Sequence, residues 1–552
     1  MPEALEHLLG DPWDPANPLG YAEIVAADER QEMFAEAEQR LDAYGMNAEF
    51  VPVEYGGRFS TLDRLARVMR AVWRRDPCLG LGYGASSFIA SVNVWAAGSS
   101  EQRTAFAKHL LADRKIASVY HELAHGNDFA RAELAAYGMR LNGRKEVVTN
   151  AQRADSLVIF ARTSPDPGSR SHSQFLVDKA DLPQDRMAYL PRFPSMGMRG
   201  VQLGGVVFTD CPIPDDAMIG MPGRGIETAL RSFQLTRTAL PSMIIGVLDT
   251  GLRTALRFTT GRRLYGRAAA DIPYVRAIVA EAFADLLLCD AFCTVTARTL
   301  HRLPGLASVP ASLVKYVVSQ QLIDAMNRLS SVLGAHFYIR DGDHAIFQKL
   351  LRDLAVIGFG HAARVACLAT VLPQTPLLAQ RSWPAAEQPP DAIFQLGTEL
   401  PPLPFDALAV SASGRDTLSA VPRSMLDETG LDPELRRLAA LFATELRELT
   451  SEAGDLRPME TGVGASPEAL AIPARLAAVL AASACLGVWR HAEGGFLADP
   501  TWVVAALTRL TARIGKGDGH LPAPLTRRLM SELLTRHEDS RGFDLTAGSI
   551  AG

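Results

Sequence analysis

Residues 138–150, GMRLNGRKEVVTN, mark a change in the character of the chain. Before them, apolar residues recur every three or four positions, as in YAEIVAADERQEMFAEAEQRLDAYG (21–45) and QRTAFAKHLLADRK (102–115). That spacing predicts helices. Around residues 138–150 the period shortens. IASVYHE (116–122), SLVIFART (156–163), QFLVDK (174–179), MAYLP (187–191) and GGVVFTD (204–210) are short runs separated by Gly, Asp, Asn and Pro. They predict an antiparallel or mixed β-domain, with LNG (141–143) as a hairpin-like turn.

The helical period returns at Gly225. GIETALRSFQLTR (225–237), PSMIIGVLDTGLRTALRFTTGRR (241–263), PYVRAIVAEAFADLLLCDAFCTVTARTLHRL (273–303) and ASLVKYVVSQQLIDAMNRLSSVLG (311–334) predict a bundle. Pro273 suits a helix start, and Gly334 follows a helix end. LPQTPLLAQRSWPAAEQPPDAIFQ (372–395) is dense in proline and reads as a linker or an extended wrap. Helical periodicity resumes in DPELRRLAALFATELRELTSEAG (432–454) and continues through three more segments. The expected fold class is α+β. The expected domains are an N-terminal helical domain (1–116), a middle β-domain (117–222), a helical bundle (223–372), a proline-rich linker (373–427) and an accessory helical domain (428–552).

The chain has 552 residues, 48% hydrophobic and 21% charged, enough for a sizeable core. Its formal net charge of -5 gives no general attraction to phosphate backbones, so nucleic acid is not an expected partner. MPEALEHLLGDPWDPANP (1–18) lacks a basic region followed by an apolar run and does not read as a secretory signal. No apolar stretch approaches the roughly 18 uninterrupted residues of a membrane span. Six cysteines are scattered without a CxxC pair. Cys289 and Cys293 share one helix face and read as buried thiols, because no His or Cys ligand lies close in sequence. No metal site is expected, and a reducing, cytoplasmic setting fits. Hydrolase and zinc-protease classes lack their GxSxG and HExxH elements.

Several segments, taken in order, resemble the acyl-CoA dehydrogenase family. HELAHGNDFARAEL (121–134) resembles the flavin loop TEPxxGSD, with Glu122, Gly126 and Asp128 in register. LNGRKEVVTN (141–150) resembles NGxKxWITN, with Val147 in place of the tryptophan. MRG (198–200), VVFTDCPIP (206–214), LTR (235–237), RRLYGR (262–267) and FQKLLRD (347–353) follow in family order. The resemblance covers roughly residues 20 to 372. It implies the family's fold, FAD as cofactor and an acyl thioester as substrate, as a small molecule or on a carrier protein. It also implies a homo-oligomer or an assembly of unlike subunits.

Carried over residue by residue, Thr149 lies near flavin N5, and Glu122 and Gly126 shape the flavin loop. Arg262 reaches a pyrophosphate across a subunit interface, where a guanidinium fork matches phosphate oxygens. Gly334 begins the phosphate loop, but Ala335, His336 and Phe337 replace the rest of its glycine pattern. Arg352 and Asp353, adjacent in sequence, are expected to have separate partners and a structural role. The family's carboxylate base is missing from both of its places: His361 stands at one, and Thr236, before Arg237, at the other. Three readings follow: a thioester dehydrogenase with His361 as base, a flavin-dependent monooxygenase on the same fold, or a non-catalytic, partner-dependent subunit. An imidazole titrates near neutrality and is chemically competent as a base. A histidine at a helix start is equally a structural residue.

Overall fold

The computed structural model describes residues 2–360, 362–462 and 464–552. Helices α1 (Pro2–Leu9), α2 (Tyr21–Glu29), α3 (Ala35–Tyr44), α4 (Leu62–Arg75), α5 (Ser86–Ala97) and α6 (Ser100–Leu111) form the first layer. α4 starts at Thr61, whose hydroxyl accepts from the Arg64 N–H, and buries a continuous face from Leu62 to Trp73. Between α4 and α5 the run GLGYGA (80–85) winds as a π-turn. Its glycines are required by space: a Cβ on Gly80 would press on the Trp73 ring, and one on Gly82 on Met33.

The sheet follows: β1 (Ile116–Val119), β2 (Ala135–Tyr137), β3 (Arg140–Thr149), β4 (Ser156–Arg162), β5 (His172–Asp178), β6 (Met187–Leu190), β7 (Leu203–Pro212) and β8 (Met218–Ile219). The strand order is β6-β7-β3-β2-β4-β5-β8, with β1 pairing β4 in parallel, so the sheet is mixed. The hairpin turn is not at LNG. It lies one step earlier, at Gly138 and Met139, both with positive φ, as a two-residue turn that suits strand twist requires. Asn142 and Gly143 sit inside β3 at a bulge, where Asn142 Oδ1 accepts from the Asp210 N–H at 2.7 Å.

The bundle consists of α7 (Gly225–Gly261), α8 (Pro273–Arg302), α9 (Ser308–Leu333), α10 (Ala345–Leu354) and α11 (Arg364–Val371). α7 runs unbroken through Pro241. Between α7 and α8, RRLYGR makes a small hairpin of β9 (Arg263–Leu264) and β10 (Arg267–Ala268).

The proline-rich stretch is a wrap packed onto the protein. Arg298 on α8 donates to the carbonyls of Ala392 and Thr398, and Leu378, Trp383, Ile393 and Phe394 are buried. Helices α12 (Pro433–Gly454), α13 (Pro467–Arg490), α14 (Pro500–Thr511) and α15 (Ala523–Glu538) then pack on α8, α9 and one another. One hydrophobic cluster runs without interruption from α1 through the bundle to α15. α13 is long and apolar enough to cross a membrane, but 78% of its most apolar window is buried inside this core. All six cysteines are buried and unpaired.

The chain after α15 returns to the first layer. Asp544 is buried between Arg70 (3.0 Å) and Arg74 (3.6 Å) of α4, while Glu6 of α1 also pairs with Arg74. The Leu545 N–H donates to Asp290 on α8 at 2.8 Å, and the Phe543 N–H to Asp249 on α7 at 3.0 Å.

Candidate functional site

A cavity of about 440 Å³ opens where all three layers meet. Its walls come from Trp73 on α4, the π-turn, the loop after β1, the end of β3, the 195–203 segment, α7, α9 and the turn 355–360. The lining is mainly apolar, with a few placed polar groups, as small-molecule sites are.

The loop after β1 is held by Glu122. Its carboxylate accepts from the Glu133 and Leu134 N–H groups (2.8 and 3.0 Å) and pairs with Lys145 Nζ at 2.8 Å. Burial pushes the Glu122 carboxyl up, but Lys145 and the two backbone donors outweigh it, and the net shift is downward. Lys145 is completely buried, and burial lowers its own proton affinity against the pull of Glu122. The Gly126 N–H closes the turn onto the Glu122 carbonyl at 3.0 Å, with φ at +53°. Glu122, Gly126 and Asn127 line the cavity.

At the end of β3, Val147 has φ at +57° within a bulge. For a β-branched residue this is strained backbone, a cost of order 1–3 kcal/mol that recurs at ligand sites. The strain turns Val147 and Thr149 onto the cavity wall. Asn150 anchors the turn beyond, its amide donating to the Gly82 carbonyl and to Ser86 Oγ. The Thr149 hydroxyl is half-buried and has no hydrogen-bond partner among the described residues. The Trp73 indole N–H is likewise buried and unpaired.

Below the cavity, α10 carries a buried charge network. Lys349 Nζ donates to Asp353 Oδ2 at 2.7 Å and to Asp76. Asp353 Oδ1 accepts from the Met198 N–H at 2.7 Å, which ties α10 to the 195–203 wall. Arg352 donates to Asp28 at 2.6 Å and stands 3.3 Å from Asp353. Burial works against the Lys349 charge, but Asp353 and Asp76 outweigh it and raise its proton affinity. Asp76, Cys78 and Asp353 lie close enough together to hold a metal, but the Lys349 ammonium already bonds to both carboxylates.

The expected site residues divide by location. Glu122, Gly126 and Thr149 line the cavity. Arg262 is exposed beyond the end of α7, over the Phe258 ring, and Gly334 is exposed beyond the end of α9; neither lines the cavity. His361 lies outside the described residues, although Gly360, its neighbour in sequence, lines the cavity. Thr236 is buried, its hydroxyl donating to the Phe233 carbonyl at 3.3 Å, and Arg237 donates to Ser312 and Thr370. Glu122 and Asp353 are the carboxylates lining the cavity among the described residues, and each is bound to a buried lysine.

Besides Arg352, two basic residues on the wall were not read from the sequence as site residues. His121 replaces the threonine of the flavin loop, and burial lowers its proton affinity. Lys315 on α9 is buried, and burial brings its ammonium down to about 8. The substitution at 121 was visible as a departure from the motif. For Lys315, a lysine in an apolar helical stretch was the available signal.

The model of the acyl-CoA dehydrogenase middle domain matches residues 122–211, and that of the acyl-CoA dehydrogenase C-terminal domain matches residues 223–361. Over these residues the chain is similar to the acyl-CoA dehydrogenases. Among curated proteins, "Probable acyl-CoA dehydrogenase fadE25" of Mycobacterium leprae is 29% identical over 259 residues. That match covers 46% of this chain and 66% of the relative, slightly less than two thirds of its length. The butyryl-CoA dehydrogenase of Megasphaera elsdenii superposes with a TM-score of 0.60 at 18% identity, covering 66% of this chain and 95% of its own. An acyl-CoA dehydrogenase of Bacillus anthracis complexed with FAD superposes with a TM-score of 0.73 at 17% identity, covering 97% and 94%. The second superposition takes in the C-terminal helices, so this acyl-CoA dehydrogenase-like fold includes them.

Proposed function

We propose that the protein is an FAD-dependent oxidoreductase that introduces an α,β double bond into an acyl thioester, with a histidine in place of the family's carboxylate base. The observation that carries this reading is the cavity itself. It sits at the end of β3, and its wall includes Thr149, whose half-buried hydroxyl has no hydrogen-bond partner among the described residues. A heteroaromatic ring with its own acceptors and donors suits such a wall, so the residues present fit a flavin. A bound flavin supplies the two-electron acceptor for the hydrogens removed. The rest of the work falls to the chain. The Glu122–Lys145 pair fixes the loop, Thr149 orients the ring, and the apolar walls exclude water. A base takes the α-proton.

Both carboxylates on the wall are bound to lysines, which favours an imidazole for that last role. His361 follows the cavity-lining Gly360 in sequence and is the first choice. Arg262 and Gly334 stand away from this cavity, and the reading gives them to the cofactor of a second subunit. The six free thiols suit a reducing, cytoplasmic compartment.

The test is spectroscopic. The purified protein is expected to bind FAD near stoichiometrically, and an acyl-CoA or acyl-carrier thioester is expected to bleach it anaerobically. Protein that takes up no FAD or FMN overturns the reading. Bleaching only by an external reductant, followed by an oxygen adduct, makes it a monooxygenase. H361A is expected to keep the flavin and lose bleaching; full turnover in H361A removes the histidine from the role of base. T149V keeps the side-chain shape and deletes the hydroxyl. A hydrogen bond of about 1 kcal/mol predicts roughly fivefold weaker FAD binding by titration calorimetry.

A further inference from the structure

The Gly360 carbonyl is gripped from across the cavity. Lys315 projects from α9, lines the cavity wall and donates from Nζ to the Gly360 carbonyl oxygen. The turn it grips has modest support of its own: the N–H groups of Phe359 and Gly360 both fall on the Val356 carbonyl, at 3.2 and 2.7 Å. Gly360 packs tightly there, since a Cβ on it would stand 2.9 Å from the Val356 carbonyl. Ala362, just beyond, takes a φ of +91°. For a non-glycine residue this is strained backbone, which persists when the surroundings hold it. A buried, charge-assisted hydrogen bond is a strong way to hold it.

We propose that Lys315 is a positioning residue of the active site, fixing through the Gly360 carbonyl the turn 355–360 that walls the cavity. The proposal rests on the oxidoreductase reading for its catalytic consequence, but the grip itself is independent of flavin. The surroundings of Lys315 suit a holding role. Arg237 on α7, Cys367 on α11 and His121 across the cavity are among the groups that interact electrostatically with it. A neutral lysine keeps two N–H donors and a lone pair. The grip therefore survives loss of the charge, and burial has brought that loss close to neutral pH.

The experiment compares K315M, K315R and wild type. In hydrogen–deuterium exchange, with or without FAD, K315M is expected to exchange faster across residues 355–364 and unchanged in the sheet. In anaerobic mixing with a butyryl- to palmitoyl-CoA series, its limiting rate of flavin bleaching is expected to fall about 10- to 100-fold, the scale of a misplaced reacting group. The half-saturating thioester concentration is expected to move much less. K315R, which keeps a donor of similar length, is expected to recover much of the rate and the protection. Wild-type exchange and rate in K315M overturn the proposal, as does K315R behaving no better than K315M. If K315M does not fold, K315Q carries the same readings. If no thioester bleaches the wild type, the oxidoreductase reading fails, and the exchange arm still decides whether Lys315 holds the turn.

Discussion

Replacing Asp544 with alanine is expected to cost about 3–5 kcal/mol of folding stability, the scale of breaking a buried ion pair by removing one partner. Asp544 is buried between Arg70 and Arg74, and both arginines are themselves buried. Its Oδ1 also accepts from the N–H groups of Thr546 and Ala547, so the variant loses the local turn as well. Arg70 keeps Asp290, and Arg74 keeps Glu6 and Asp249, which places the loss nearer the lower figure. D544N retains the shape and part of the hydrogen bonding and should fall between alanine and wild type. The loss is read from urea unfolding as a lower midpoint at unchanged slope.

The pH dependence has a definite sign. Burial raises the Asp544 carboxyl, but Arg70 and Arg74 outweigh it and hold it well below the usual carboxylate range. The stabilisation is therefore complete above the unfolded-state value of about 4 and fades as pH falls below it. The gap between wild type and D544N should be widest near neutrality and narrow in acid. A gap that grows in acid contradicts this account.

The second large effect is expected at Glu122. E122A strips a buried carboxylate from a completely buried ammonium and leaves the Glu133 and Leu134 N–H groups unpaired. A loss of about 3–5 kcal/mol follows, concentrated in the loop that lines the cavity, so FAD retention on dilution should fall along with stability. The damage should ease as pH rises. Without Glu122, burial alone acts on Lys145, and the amine sheds its proton more readily. The E122L/K145M double variant is the control. Apolar replacement of both partners is often neutral, so it should be more stable than E122A. A double variant equal to the sum of the singles means that the two side chains do not act as a pair.

The order of helices, sheet and bundle was legible because each change of period reflects a change in which side chains must face inward. Asn142–Gly143 misled as a turn: the pair has turn chemistry, but pairing with β7 makes it a bulge, and Gly138–Met139 closes the hairpin. Pro241 divided one helix into two expected segments, yet packing against α4 carries α7 through it. Glu122 and Gly126 were legible as parts of one cavity-lining loop because they are close in sequence. Lys315 was not, because its meaning comes from a carbonyl 45 residues away. The pairing of Asp544 with α4 leaves no local trace at all.

That last pairing also sets a schedule for the ribosome. Arg70 and Asp544 are 474 residues apart. At about 5–20 residues per second, α4 waits roughly 25–95 s after its synthesis before Asp544 exists. Until then Glu6, Asp249 and Asp290 are the carboxylates that Arg70 and Arg74 share. The carboxylate that completes this buried cluster is thus the last of its charges to be made.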